Sequence, residues 1–251
     1  MRRLIIIFIL LLHAPLLQAQ DVDFDLLMQQ YGLVDIQELD PEIAVELKYS
    51  TEDNFVGCDM YVNLERAFLE KEFARKVVAA QQLASRHSFI DISRVGIHGH
   101  SGGGFMSTAA ILMYPDFFDV AVSCAGNHDN NIYNRWWSEK HHGIREVEKD
   151  GETLFEYHIS ANHELASRLK GNLLLVHGDI DENVHPGCTL RVVDALIRSN
   201  KRFDMLLLPG QRHGFGDMNE YFFWRMADYF SEHLLGERET TTDIPQLNND
   251  L

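Results

Sequence analysis

The chain of 251 residues has little cysteine, few basic residues and only one long apolar run. Its cysteines, Cys58, Cys124 and Cys188, are odd in number and contain no Cys-x-x-Cys pair, so they indicate no disulfide framework and allow one bridge at most. Its 22 basic and 38 acidic residues give a net charge of -16. This charge disfavours nucleic acid and anionic membrane surfaces as partners, because both are polyanions. The sequence also lacks internal repeats and a His-Glu-x-x-His zinc motif.

The one long apolar run lies at the amino terminus. Arg2 and Arg3 precede it, and Ala19 offers a small-residue cleavage site after it. This order predicts a signal peptide over residues 1–19 and an exported protein, periplasmic or extracellular. A membrane anchor is the alternative, but the run is shorter than the roughly 20 residues that a spanning helix needs.

The middle of the chain has the pattern of an α/β protein. Leu69, Phe73 and Val77 recur at four-residue spacing and predict one amphipathic helix over 64–85. After this helix, apolar strand candidates alternate with helical stretches, in the order "RVGIHG", "FDVAVSCAG", "NLLLVHGD" and "FDMLLLPG". Such alternation predicts a parallel sheet covered by helices. Residues 237–251 are polar and aperiodic, and they are predicted to form a loose tail.

A serine between glycines follows the first of these strands. In "HGHSGGGFMS", Ser101 fits the G-x-S-x-G pattern, where glycines flank the serine because the strand-to-helix turn is too tight for side chains. The motif is short, so a glycine-rich turn or phosphate-type loop is the alternative interpretation.

Two further strand ends carry residues that would activate a serine. Asp179 and Asp181 follow "LLLVHG", and His213 follows "LLLPGQR". The order Ser, Asp, His is that of α/β hydrolases. A serine hydroxyl needs an imidazole to take its proton and a carboxylate to orient that imidazole. We therefore predict Ser101 as nucleophile, His213 as base and Asp181 as orienting residue, with Asp179 as the rival for the last role.

Metal binding is an alternative interpretation of the histidines and carboxylates in this part of the sequence. The stretch "HGDIDENVH" contains His177, Asp179, Asp181 and His185, but it matches no recognised ligand pattern. We predict no metal site and no cofactor.

Residues 84–236 resemble the catalytic region of the prolyl oligopeptidase family, in its dipeptidyl peptidase IV branch. The matching stretches are "RHSFIDISRVGIHGHSGGGFMSTAAILMYPDFFDVAVSCAG", "LLLVHGDIDENVHPGCTLRVVDALI" and "LLLPGQRHGF". The resemblance implies a partial α/β-hydrolase sheet, the triad Ser101, Asp181 and His213, and peptide substrates. It also implies that the Gly102 N–H binds the oxyanion.

The same resemblance suggests three substrate-binding residues. Asn183 would hold the substrate backbone, and Trp137 would supply a flat apolar wall suited to proline or alanine. His141 departs from the aromatic residue expected at the next pocket position, which weakens the expectation of proline selectivity. Surface-loop positions are the alternative for Trp137 and His141.

Residues 20–83 resemble a different family, the D-alanyl-D-alanine dipeptidases of the vancomycin-resistance type. The resemblance rests on "LDPEIAVELKYSTEDNFVGCDMY" and "AFLEKEFARKVVAAQ". That family uses zinc held by S-x-H-x-x-G-x-x-x-D and E-x-x-H motifs, and neither occurs here. The chain then looks like a fusion of a small α+β fragment with a hydrolase fragment.

These observations predict an exported serine peptidase that works through an acyl-enzyme. Zinc D-alanyl-D-alanine dipeptidase activity and a catalytically silent remnant are the alternatives. A fusion of this kind lacks the strands that would pair beside "RVGIHG", so we also predict self-association unless "IAVELKY" or another chain covers that edge.

Overall fold

The computed structural model of the chain describes residues 4–10, 66–137, 145–156 and 160–244. Its helices are α1 Arg66–Arg86, α2 Gly102–Met113, α3 Gly187–Arg198 and α4 Asn219–Phe230. Its strands are β1 Leu4–Leu10, β2 Ile90–His100, β3 Val120–Cys124, β4 Arg145–Lys149, β5 Glu152–Glu156, β6 Asn172–Gly178 and β7 Asp204–Leu208. Two 3-10 segments lie at Asn162–Arg168 and Gly216–Met218, and a π-helical turn at Ser231–Leu235 follows α4.

Five of these strands form one parallel sheet in the order β1-β2-β3-β6-β7. The four strands predicted from the sequence are β2, β3, β6 and β7. Helix α2 connects β2 to β3 and helix α3 connects β6 to β7, whereas β4, β5 and a 3-10 segment lie between β3 and β6. The predicted α/β class with a partial hydrolase-type parallel sheet is therefore confirmed. The predicted strand "IAVELKY" lies outside the described residues.

Alternating side chains of the sheet build two apolar cores. Ala121, Leu173 and Leu175 point into a core that also contains buried side chains of α1, α2 and α3. Val122 and Val176, one position along each strand, point into the second core, which α4 covers. Because side chains alternate between the two faces of a strand, the central strands β3 and β6 are buried on both faces, as is typical of parallel sheets, whereas β7 is largely exposed.

The predicted amphipathic helix over 64–85 is α1, at Arg66–Arg86. Phe73 is fully buried in the first core, and Val77 packs against that core while half-buried. The four-residue spacing therefore identified the face that packs on the sheet.

The outer edge of β2 pairs with β1, a strand from the predicted signal peptide. Seven residues of β1 are in register with β2, from Leu4 opposite Ile90 to Leu10 opposite Gly99, with one irregularity between Ile5 and Ile6. An apolar run rich in isoleucine suits a strand as well as a signal sequence. In the uncleaved chain the edge that we predicted to be open is thus paired, and cleavage of the signal stays a prediction.

An antiparallel hairpin of β4 and β5 was missed from the sequence. Its turn residues, Asp150 and Gly151, both have positive φ values, 56° and 81°. Asp-Gly favours such two-residue hairpin turns, so this dipeptide was the signal that could have revealed it.

Two cysteines lie within the described part of the chain, and both are free thiols. Cys124 ends β3 and Cys188 lies in the first turn of α3, and both are buried. Burial raises the pKa of each thiol.

Residues 237–244 form neither helix nor strand and are mostly exposed. Among the described helices, none combines the length and the apolar character needed to cross a membrane.

Candidate active site

Ser101 occupies a strained turn between β2 and α2. Its φ of 60° and ψ of -121° are unusual for a residue with a side chain. The Ser101 N–H donates a hydrogen bond to the Cys124 carbonyl at 2.8 Å, which ties the turn to the end of β3. This is the backbone geometry expected of a serine displayed by a G-x-S-x-G turn.

Two glycines of the stretch "HGHSGGGFMS" are required by close backbone approach. A Cβ atom on Gly99 would lie 2.1 Å from the Gly103 carbonyl oxygen. A Cβ atom on Gly104 would lie 2.4 Å from the carbonyl oxygen of Cys124. The structure therefore explains the glycines on both sides of Ser101 by sterics.

Asp181 and His213 meet at the ends of β6 and β7. The His213 Nδ1–H donates to the Asp181 Oδ2 at 2.8 Å. The other carboxylate oxygen, Oδ1, accepts the backbone N–H groups of Asn183 at 2.9 Å and Val184 at 3.0 Å. The carboxylate of Asp181 is thus buried and held by donors on both oxygens.

These donors keep Asp181 ionised. Burial by itself raises the pKa of Asp181, but hydrogen bonds from His177, His213 and the Val184 N–H outweigh burial and hold that pKa well below its usual range. An ionised carboxylate beside Nδ1–H leaves Nε2 of His213 as the nitrogen able to accept a proton.

His100 connects the serine turn to His213. It immediately precedes Ser101, and its Nε2–H donates to the His213 backbone carbonyl at 2.6 Å. The two imidazole rings are in edge contact, with centroids 4.7 Å apart. The structure therefore brings the neighbour of Ser101 against the residue that contacts Asp181.

Asp179, the rival orienting residue, has a different environment. It is exposed, and its Oδ1 accepts the backbone N–H of Gly210 at 2.6 Å. This bond ties the ends of β6 and β7 together, whereas Asp181 is the aspartate in contact with His213.

The expected oxyanion donor starts a helix. Gly102 is the first residue of α2 and is buried. Its N–H points out of the first helical turn, where amides have no carbonyl acceptor within the helix. Such amides suit a developing negative charge.

Tyr133, which was not predicted from the sequence, connects two of the predicted substrate-binding residues. Its hydroxyl donates to the Asn183 Oδ1 at 3.2 Å, and its ring makes an edge contact with Trp137 at 5.4 Å. Burial and the nearby charge of Asp181 raise the pKa of Tyr133. A tyrosine four residues before a tryptophan was the available signal. His141 lies outside the described residues.

A buried polar loop follows β3 beside this site, and it was also missed. Its members share near-complete burial and are Asn127, His128, Asp129 and Asn130. Asp129 forms an ion pair with Arg191 of α3. The Asn162 amide donates to Nδ1 of His128 at 3.0 Å. A run of polar residues directly after a buried strand was the only hint in the sequence.

The candidate metal ligands of "HGDIDENVH" do not converge. Within the described residues, no three His, Cys, Asp or Glu side chains are grouped so that they could hold a metal ion. The absence of a metal cofactor stays a prediction.

Comparison with known proteins identifies the family. Residues 54–237 match the model of the prolyl oligopeptidase family, peptidase family S9. The chain is 33% identical to dipeptidyl peptidase 8 of Homo sapiens over 188 residues, which is 72% of this chain and 21% of that protein. It is 24% identical to the inactive dipeptidyl peptidase 10 of Mus musculus over 174 residues, 69% of this chain and 21% of that protein.

A solved structure shows the same fold. The crystal structure of Porphyromonas gingivalis dipeptidyl peptidase 4 is similar with a TM-score of 0.58 and 25% identity, covering 69% of this chain and 24% of that chain. The chain thus spans about a fifth to a quarter of the length of these relatives.

The family match begins at residue 54, inside the segment that resembled a D-alanyl-D-alanine dipeptidase. These comparisons give that second resemblance no support. The match covers most of the chain, including the turn of Ser101 and the strand ends that carry Asp181 and His213. The chain therefore belongs to the prolyl oligopeptidase family.

Proposed function

We propose that the chain is a serine-type peptidase that hydrolyses peptide bonds through Ser101, His213 and Asp181. The observation that carries the proposal is the 2.8 Å bond from His213 Nδ1 to the buried, ionised Asp181. Together with the strained turn of Ser101, it supplies the orienting carboxylate and the base that an activated serine needs.

The reaction would proceed in two halves. The Ser101 oxygen attacks the scissile carbonyl while Nε2 of His213 takes the hydroxyl proton, and the Gly102 N–H binds the oxyanion. His213 then gives that proton to the leaving amine, which departs as the acyl-enzyme forms. Water, deprotonated by His213, hydrolyses the acyl-enzyme and restores Ser101.

The proposed substrate class is peptides with proline or alanine before the cut. Trp137 and Tyr133 are in edge-to-face ring contact and offer an apolar aromatic surface, and Asn183 accepts a hydrogen bond from the same tyrosine. Dipeptidyl peptidase specificity and export to the periplasm or the extracellular space belong to this proposal. A catalytically silent protein is the second candidate, because one relative is named as inactive.

Active-site labelling tests the proposal. A fluorophosphonate probe should modify the wild-type chain at Ser101, and Ser101→Ala should abolish labelling. Ser85→Ala is the matched control, because Ser85 is an exposed serine at the end of α1. Labelling that persists in Ser101→Ala would refute the assignment of the nucleophile, and no labelling of the wild type would favour the silent protein.

The other members of the triad are tested by turnover. His213→Ala should lose nearly as much peptidase activity as Ser101→Ala, because triad residues act as a unit. A chelator should leave activity unchanged, whereas the zinc dipeptidase alternative requires its loss. Near-native turnover in His213→Ala would show that another group is the base.

A further inference from the structure

His177 is a fully buried histidine of β6 that the proposed reaction leaves without a role. Its Nε2 lies 2.8 Å from the Val184 carbonyl oxygen and 3.3 Å from the Asp181 Oδ2. Its Nδ1 lies 2.7 Å from the Thr189 hydroxyl of α3. All three partners are buried, so the ring is fixed on both sides.

The identity of these partners fixes the position of one hydrogen. A carbonyl and an ionised carboxylate only accept, so Nε2 of His177 carries the hydrogen that faces Val184 and Asp181. The Thr189 hydroxyl can donate or accept, and it therefore anchors Nδ1 in either case. His177 thus presents a donor to the back of the Asp181 carboxylate.

The same carboxylate oxygen serves both histidines. Asp181 Oδ2 accepts the His213 Nδ1–H at 2.8 Å and lies 3.3 Å from Nε2 of His177, whose single N–H it shares with the Val184 carbonyl. We propose that His177, anchored by Thr189, is a positioning residue that shares Oδ2 of Asp181 and moderates its hold on the His213 proton. The consequence for catalysis rests on the proposed peptidase function.

Among the groups around His177, Asp181 is the one whose charge acts on it, because the other neighbouring groups are neutral or paired. His128, from the loop after β3, is near enough to His177 to interact with it electrostatically. Burial and the proximity of His177 lower the pKa of His128 to about 3, so His128 is neutral at pH 7. In α3, Cys188 adjoins Thr189, and burial raises the pKa of that thiol. Cys188 itself adjoins the Asp129–Arg191 ion pair, whose charges oppose each other.

The test is the NMR titration of the His213 imidazole, identified as the signal that His213→Gln removes. In His177→Phe the ring stays but its donor is lost, so Oδ2 holds the His213 proton more strongly. The titration midpoint of His213 should then rise by about half a pH unit or more. His177→Gln restores a donor at the position of Nε2 and should return the midpoint towards the wild-type value.

Two further variants complete the test. Thr189→Val removes the anchor of His177 Nδ1 and should also raise the midpoint of His213, by less than His177→Phe does. This variant can test the proposal even if His177→Phe does not fold. His185→Gln is the control, because His185 is exposed in the same loop and bonds to the Gly187 N–H. A midpoint unchanged or lowered in His177→Phe and Thr189→Val would overturn the proposal.

This titration separates the inference from the proposed function, because it needs no turnover and can be made in Ser101→Ala. If the fluorophosphonate fails to label Ser101, the peptidase proposal fails while the midpoint still tests His177. If labelling succeeds, the acid limb of kcat/KM should move to higher pH in His177→Phe by the same amount as the midpoint.

Discussion

At the scale of single residues, His128 in the buried loop after β3 makes the stability of the folded chain depend on pH. The pKa of His128 is lowered to about 3 in the folded chain, from 6.5 for an unperturbed histidine. Between these values the unfolded chain binds a proton that the folded chain excludes, so stability is full above about pH 6.5 and falls as the pH falls towards 3. From pH 7 to pH 5, we expect His128 alone to lower the free energy of unfolding by about 2 kcal/mol.

Urea unfolding at the two pH values measures this effect. His128→Gln should reduce the loss of stability between pH 7 and pH 5 by the expected amount, whatever its own stability at pH 7. The exposed His185 provides the control, since His185→Gln should retain the wild-type pH dependence. Equal pH dependence in the wild type and in His128→Gln would contradict the prediction.

The residue types in the sequence were enough to predict the catalytic residues of the site, but they did not predict the contacts that support those residues. Ser101, Asp181 and His213 could be selected because each follows a strand and each type has a catalytic use. Tyr133, His177 and the polar loop could not, because the supporting role of a tyrosine, histidine or asparagine is recognised only when its partners from distant elements are known. Position after the strand left Asp179 as a rival of Asp181; the family resemblance implied Asp181, and Asp181 is the aspartate that contacts His213.

At the scale of elements, β1 is the strand on which the edge of the sheet depends. It pairs with β2 over seven residues, and without it the outer N–H and C=O groups of β2 would have no other strand of the described residues beside them. A chain beginning at residue 20, as after signal cleavage, should therefore self-associate. We expect light scattering to give a mass at least twice that of the monomer, while the uncleaved chain stays monomeric.

Removal of residues 245–251 is the matched control, because it shortens the chain at a polar end. That variant should keep the mass of the intact chain. A monomeric chain lacking residues 1–19 would show that another segment takes the place of β1.

Periodicity predicted most elements, and its failures have physical causes. The strands β3 and β6 are apolar runs buried on both faces, and the apolar stretches of β2 and β7 also differ from the polar residues around them. The run of β1 satisfies the requirements of a signal sequence and of a strand equally, so local pattern could not separate the two. The β4–β5 hairpin has alternating polar residues and little apolar character, and only its Asp-Gly turn marked it.

At the scale of the whole molecule, the prediction concerns catalytic power. The resemblance to the family implies a second oxyanion donor from a tyrosine upstream of the serine strand, and the upstream tyrosines Tyr31, Tyr49 and Tyr61 lie outside the described residues. Among the described residues, only the Gly102 N–H is assigned to that role. Loss of one such donor costs about 100 to 1000-fold in turnover.

Steady-state kinetics on an X-Pro or X-Ala arylamide, normalised to the sites titrated by fluorophosphonate, measures this deficit. We expect kcat below about 1 per second, under the usual enzyme range of about 1 to 1000 per second. A value well inside that range would show that the second donor is supplied within this chain.

The buried thiols of Cys124 and Cys188 give the molecule an internal reporter. A cysteine reacts as its thiolate, and burial both hides these sulfurs and raises their pKa values, so oxidants and alkylating reagents meet neither in the folded chain. Cys124 is the last residue of the central strand β3, and Cys188 lies in the first turn of α3, the helix behind Asp181. The rate at which Cys124 is modified therefore reports how often the sheet opens, and the rate at which Cys188 is modified reports how often that helix opens. Neither measurement requires a probe to be engineered into the chain.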